Sequence, residues 1–340
     1  MSGGRPGVTG TGPWPGLDAL EAQTVVVGDL VDTPSEVAGL PFTVLLAERG
    51  PWGDRVGRAA ALLAELPTEL GPHGWKLADR PSRDVARAQA YLREDVDALA
   101  VACHGWTGPL VVPVLGPMTL AANLYLARGD RVVSDPGAVR ELAASLAAGI
   151  VEHLAAIRRS VPGIEPTVLL QEPLLAQVMA GVLPSFSGYS ALRSVPGPVA
   201  AERIGDVASA LDGVRVIVHG GSAWTSLGAI RASEVDGFAL AVSALDERSW
   251  EKVAEAVEGG LAFWPELPPQ ASSQCAGPDV TGQADTLTRP WRSVGLAMAG
   301  LRDVVLLAGD ITGRGSPDEA RAVLAGLARA ARIVAERAED

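Results

Sequence analysis

The 340-residue chain has few of the features that mark specialised folds. It contains two cysteines, Cys103 and Cys275, and neither lies in a CxxC pair. That excludes a disulfide framework and leaves each as a small buried residue or an incidental thiol. Lysine is confined to Lys76 and Lys252, so the basic charge is almost all arginine. With 28 basic against 40 acidic residues the formal net charge is -12, and no basic block offsets it. Such a chain repels a phosphate backbone, so nucleic acid and anionic membrane surfaces are poor partners for it. There is no 18-residue apolar run free of polar breaks and no positively charged leader ahead of an apolar segment, so the expected residence is cytoplasmic. No Pro/Ser/Gly-rich linker divides the chain. What is plentiful is hydrophobic sequence, 48%, enough for one large α/β domain or two smaller ones.

The most informative stretch is Val214–Trp224, VRVIVHGGSAW. Val214, Val216 and Val218 alternate with Arg215 and Ile217, and Gly220-Gly221 ends the run. A buried strand thus ends at His219 and presents it at a mouth. Histidine at such a position ligates a metal, exchanges a proton or binds an anion; it also serves simply to cap a core by hydrogen bonding. Thr167–Gln171 is a second short apolar strand, followed by Glu172-Pro173. A carboxylate there is costly if buried unpaired, and an ordinary salt bridge to an arginine is the structural alternative to a ligand contact.

Taken in order, strands are expected near residues 8, 43, 112, 169, 217, 240, 262 and 305. The second is read as Phe42–Leu46 and the seventh as Leu261–Trp264, with Pro265-Glu266-Leu267-Pro268-Pro269 following as a connection. The clearest helices are Pro81–Ala100, with Val85, Ala88, Leu92, Val96 and Leu99 in one stripe, and a long one after Asp135-Pro136. His153 lies off the stripe of the latter and is expected at the surface. Ala271–Thr286 reads as a long loop and Trp291–Leu301 as a helix. Thr33-Pro34-Ser35-Glu36 and Ser316-Pro317-Asp318-Glu319 both have the form of a capping box with proline at N1. Little periodic sequence follows the first, so it closes only a turn. Eight strands alternating with helices define an α/β chain, a single-domain (β/α)8 TIM barrel spanning residues 1–340. Strand C-ends converge in that fold, which would bring Glu172, His219 and Asp310 to one face and place the glycine-rich start, with Trp14, on the same rim.

The order of motifs resembles the C-terminal barrel of cobalamin-independent methionine synthases, closest to short single-barrel actinobacterial members. The marks are TGTGPWPG at Thr9–Gly16, GPMTLA at Gly116–Ala121, QEP at Gln171–Pro173 and the strand ending at His219. The resemblance spans roughly residues 7–336. It implies methyl transfer to a thiol such as homocysteine, with zinc held by a histidine, two cysteines and a glutamate so that the bound thiol ionises. The residues depart from that set. The family's H-x-C reads His219-Gly220-Gly221 here, its last cysteine aligns with Asp310, and its glutamate region reads Ala241-Val242-Ser243-Ala244.

The resemblance therefore implies a divergent methyltransferase-like or group-transfer enzyme acting on a small thiol or amino-acid-like substrate without the zinc–thiolate site. Glu172, His219 and Asp310 are its expected catalytic residues. Gly12, Trp14, Thr119, Glu172 and Trp224 are its expected substrate-binding residues. No metal, and zinc in particular, is expected; a folate-like methyl donor is the cofactor class the resemblance implies. A small molecule is the expected partner, with a protein partner or homodimer left open. Two other readings remain: a non-catalytic ligand-binding or partner protein on the same barrel, and a uroporphyrinogen-decarboxylase-like lyase. The arginine-rich N-terminal signature of the latter is absent.

Overall fold

The computed structural model describes residues 4–268, 279–309 and 315–340. In chain order its strands are β1 (Gly7–Gly10), β2 (Ala38–Gly39), β3 (Thr68–Gly71), β4 (Gly74–Leu77), β5 (Gly108–Leu115), β6 (Ile164–Gln171), β7 (Arg215–His219), β8 (Gly237–Ala241), β9 (Ala262–Leu267) and β10 (Val305–Ala308). The helices among the described residues are α1 (Ala19–Val31), α2 (Arg55–Leu62), α3 (Arg83–Ala102), α4 (Pro117–Asn123), α5 (Pro136–Ser160), α6 (Leu175–Ala180), α7 (Gly197–Ser209), α8 (Leu227–Ala232), α9 (Glu247–Glu258), α10 (Val280–Ser293) and α11 (Pro317–Arg337).

Eight strands form one parallel sheet in the order β2-β1-β10-β9-β8-β7-β6-β5, and β3 and β4 form a separate antiparallel hairpin. The sheet curls until its edges meet. Leu40 N donates to Val8 O at 2.9 Å, and two residues on the chain changes partner: Val111 N donates to Pro41 O at 2.8 Å and Thr43 N to Val111 O at 3.0 Å. The β2 segment therefore bridges β1 and β5 and completes a (β/α)8 TIM-type α/β barrel. This corrects the expected second strand over Phe42–Leu46. Regular pairing lies earlier, at 38–39, and Pro41, which has no N–H to donate, marks the switch of partner.

In-register neighbours in a parallel sheet share a face, and successive residues alternate between faces. Val112, Val168 and Val216 are in register on the helix-facing side. On that side Phe263 stacks on Phe238 with ring centroids 4.8 Å apart and meets Trp250 of α9 edge-on at 6.1 Å. Leu115, Gln171, His219, Ala239 and Trp264 are in register on the other, interior side.

Local capping fixes several helix starts. Asp135 accepts from Gly137 N and Ala138 N at the start of α5, and Ser316 accepts from Glu319 N at the start of α11. Thr33, by contrast, caps no helix; its hydroxyl accepts from Gly39 N at 3.1 Å inside a turn. Three expectations need correction. His153 is buried, because α5 packs on both α3 and α7 and its covered face is wider than one stripe. Burial, with Arg58 nearby, pushes its imidazole down to about 3. Residues 280–286, read as loop, open α10, whose N-cap Asp279 accepts from Gly282 N; residues 271–278 lie outside the described residues. The helix expected over Trp291–Leu301 breaks after Ser293 at Gly295, whose φ of +81° ends it, and a 3₁₀ turn over Met298–Asp303 follows.

Candidate functional site

The interior face at the C-terminal ends of the strands gathers a small polar set. His219 closes β7 in register with Gln171 and Ala239. Glu266, on β9, is in register with Ala241 and with Leu307, and Leu307 in turn with Thr9. His219 Nε2 lies 2.7 Å from Glu266 Oε2, with side-chain exposures of 10% and 23%. The ring nitrogen is buried and off the line of a hydrogen bond to that oxygen. Room for the carboxylate comes from Gly309, where a Cβ would stand 2.3 Å from Glu266 Oε1. Gln171 Nε2 donates to Thr11 O at 2.6 Å, tying β6 to the end of β1. The hydroxyls of Thr9 and Thr11 are buried without a hydrogen-bond partner among the described residues. Buried polar groups are nearly always paired in folded proteins, so these orphans beside the His–Glu pair make the mouth the candidate site. An imidazole backed by a carboxylate can take a proton from a bound group and hold the resulting positive charge.

Glu172 is elsewhere. It follows Gln171 by one residue, so its side chain turns to the opposite face of the sheet and away from the interior. There it is fully buried, and its two oxygens accept from Met118 N at 2.8 Å and Thr119 N at 2.6 Å. These amides open α4, so the carboxylate seals a helix N-terminus. Gly116 makes the approach possible: a Cβ there would be 2.5 Å from Glu172 Oε1. Burial pushes the carboxyl up to about 7, against the hydrogen bonds from Thr119 and Met118 that favour its ionised form. The arginine partner considered from sequence is replaced by backbone amides. Thr119, one of the expected substrate-binding residues, belongs to this clamp, and its hydroxyl accepts from Leu174 N at 3.2 Å.

Of the other expected site residues, Trp14 is fully buried and packs against Phe42 with ring centroids 6.5 Å apart. Gly12 is buried with φ at +106°. Trp224 is half-buried in a 3₁₀ turn after β7. Asp310 lies outside the described residues. The structure thus brings His219, Gln171 and the first-strand threonines together, and it separates Glu172 and Thr119 from them.

Glu266 is the residue that sequence reasoning missed. The prolines on either side of it read as a connection, yet β9 continues to Leu267. The signal was the spacing of Ala262, Trp264 and Glu266, which sets all three on one face. The resemblance places a glutamate near Ala241; here the carboxylate stands one strand over, in register with that alanine.

The described residues do not fit a zinc–thiolate site. Gly221, where the family pattern has cysteine, has φ at +70°, and a Cβ there would be 3.1 Å from Pro173 Cα. A side chain of any kind is strained in that conformation. Cys103 is buried at the C-terminal end of α3, where burial pushes its thiol up to about 11, and Cys275 lies outside the described residues. Among the described residues no three His, Cys, Asp or Glu side chains converge as a metal site.

Fold and site together define a (β/α)8 barrel with a polar mouth at the strand C-ends. No known protein family's profile matches the chain, and no curated protein matches it in sequence. Among solved structures it is similar to a B12-independent methionine synthase from Shewanella sp. W3-18-1 in complex with selenomethionine, at 15% identity and a TM-score of 0.49, over 77% of this chain and 70% of that one. A putative fructose-1,6-biphosphate aldolase from Coccidioides immitis is similar at 13% identity and a TM-score of 0.34, over 98% and 89% of the two chains. Neither likeness bears on activity. No helix of the described residues is long and apolar enough to cross a membrane.

Proposed function

We propose that the chain is a divergent group-transfer enzyme of methyltransferase type that activates a small thiol or amino-acid-like acceptor at the barrel mouth without zinc thiolates. The supporting observation is the His219–Glu266 pair on the interior face, beside buried and unpartnered threonine hydroxyls. In this reading the acceptor's thiol or ammonium gives its proton to His219 Nδ1, and Glu266, 2.7 Å from Nε2, holds the imidazolium. The acceptor's freed electron pair then attacks the carbon being transferred, and the donor's leaving group departs with the electron pair of the broken bond. Thr9 and Thr11 supply hydrogen bonds to polar atoms of the bound acceptor. A folate-like compound is the donor class that goes with this reading.

A thermal-shift panel of thiols, amino acids and folates tests it, run on the wild type and on His219→Gln and Glu266→Gln. A true ligand at about a hundred times its Kd stabilises the fold by about 2.7 kcal/mol. The expected outcome is stabilisation of the wild type by a thiol or amino acid that both substitutions abolish. Stabilisation that survives both substitutions would refute the site.

A non-catalytic binding barrel is the second reading. It is favoured by the engagement of both Glu172 oxygens with helix amides, which removes one of the expected acid–base groups from the mouth. A ligand that binds at His219 but is never turned over with any donor supports it.

A further inference from the structure

We propose that the opposite, N-terminal end of the barrel carries a second binding site, for a small molecule held through a phosphate group. A cavity of about 690 Å³ opens there. Its charged lining is Arg5, Arg158, Arg215, Glu165 and Asp303, drawn from five separate segments. For a chain of net charge -12, three guanidinium groups at one opening run against the general field.

Arg215 is the central observation. It is the first residue of β7 and occupies an interior position, in register with Thr167 and two residues before Ile217. Barrel interiors of this kind are filled by bulky branched side chains. Ile217, Leu169 and Leu307 follow that rule and Arg215 departs from it. It has no hydrogen-bond or ion-pair partner among the described residues, and neither has Arg158. Glu165 and Asp303 line the same opening, yet neither stands in an ion pair with these arginines. Arg5 is fixed at the lip, its Nη1 donating to Ser35 O at 2.8 Å.

The second observation is Trp264. It lines the cavity, is 1% exposed, and its indole N–H has no partner among the described residues. Guanidinium and indole groups only donate hydrogen bonds. The unpartnered guanidinium groups at this cavity are therefore donors that lack an acceptor, and an oxyanion supplies acceptors to both. Phosphate matches the forked donor geometry of arginine. The volume lies within the range of small-molecule sites and exceeds what a bare ion fills, so a phosphate monoester is the fitting class of occupant.

This site is independent of the His219 reading. Isothermal titration of the full chain with inorganic phosphate and with glycerol phosphate, at low and constant ionic strength, tests it. Saturable binding is expected, tighter for the ester, and weakened about tenfold or more in Arg215→Gln. Trp264→Phe is expected to reduce the tryptophan-fluorescence change that accompanies binding, Trp106 being the other indole of the lining, while His219→Gln keeps both signals. Circular dichroism checks the fold of each variant. If Arg215→Gln fails to fold, the exposed Arg158→Gln serves instead, with a drop of a few-fold. No saturable binding of either compound below about 10 mM, or equal binding by wild type and the arginine variants, overturns the proposal. Inorganic phosphate binding as tightly as the ester would also overturn it, reducing the site to one for an adventitious ion only.

Discussion

Glu172 N donates to His219 O at 2.8 Å, yet the two side chains leave the sheet on opposite faces. The imidazole enters the barrel interior. The carboxylate goes under α4, where it holds the amides of Met118 and Thr119. Two residues that touch through their backbones therefore belong to different parts of the molecule, one to the mouth and one to the joint between sheet and helix.

Glu172→Gln is accordingly a stability variant. Above about pH 7, where the ionised carboxylate accepts from both amides, the Gln nitrogen would face a backbone N–H, leaving a buried donor against a donor, at a cost of about 1–3 kcal/mol. Denaturant titration should show that loss, with ligand affinity at the mouth unchanged. The pH dependence has a definite sign. The carboxyl is raised from 4.5 to about 7 in the folded chain. Between those values the folded state keeps a proton that the unfolded state has released. The group's contribution is thus full below 4.5 and is lost as pH rises through about 7. The wild type should lose stability across that window relative to Glu172→Gln. A rise in relative stability there would contradict the buried placement.

Glu266→Gln is the matching variant at the mouth. It keeps the shape and removes the charge that faces His219 Nε2. Glu266 is partly exposed, so the fold should melt within a few degrees of wild type. If His219 works as the proposed proton acceptor, turnover should fall by about 10²-fold or more, the scale of general acid–base catalysis. Turnover within about twofold of wild type would remove Glu266 from the mechanism.

The barrel was legible because hydrophobic strands, helices and turn signals recur along the whole chain. His219 was legible too, since β-branched alternation before Gly220-Gly221 fixes both strand and end. The facing of Glu172 followed from the same period-2 rule, but the convergence of strand ends hid it: ends meet, while side chains alternate. His153 was misplaced because one apolar stripe cannot reveal that a helix is covered from two sides. Glu266 was hidden by prolines that elsewhere mark connections. The β3–β4 hairpin has a turn signal in Gly71-Pro72-His73-Gly74, but each of its strands is only four residues long, too short for alternation to stand out.

Asp95 shows a signal that was available. It falls three residues after Leu92 on the stripe of α3, a carboxylate on an apolar face. The structure buries it between two arginines, Arg49 at 3.1 Å and Arg58 in closer contact. Burial, with Arg49 beside it, pulls the Arg58 guanidinium down to about 10. Asp95→Asn would leave the buried Arg58 without its anion and Arg49 with Glu94 alone, and a loss of about 3–5 kcal/mol is expected by urea unfolding. A loss below about 1 kcal/mol would mean that Glu94, which also pairs with Arg49 at 2.8 Å, carries the network instead.

The last prediction concerns Gly221, where the sequence pattern leads one to expect a zinc-binding cysteine. Its φ of +70° is a left-handed conformation, which costs a residue with a Cβ about 1–2 kcal/mol. The Cβ would also meet Pro173 Cα at 3.1 Å and Pro173 O at 3.4 Å, so the neighbouring loop must give way slightly. Gly221→Ala and Gly221→Cys should therefore lose similar amounts of stability, because the backbone and not the thiol sets the cost. The introduced thiol would follow a His219 whose Nε2 already faces Glu266 at 2.7 Å. Added zinc should then raise the melting temperature of Gly221→Cys no more than that of Gly221→Ala. A zinc-dependent rise specific to the cysteine variant would show that the mouth still accommodates the metal, and that the strain at this glycine is not what separates the chain from zinc chemistry.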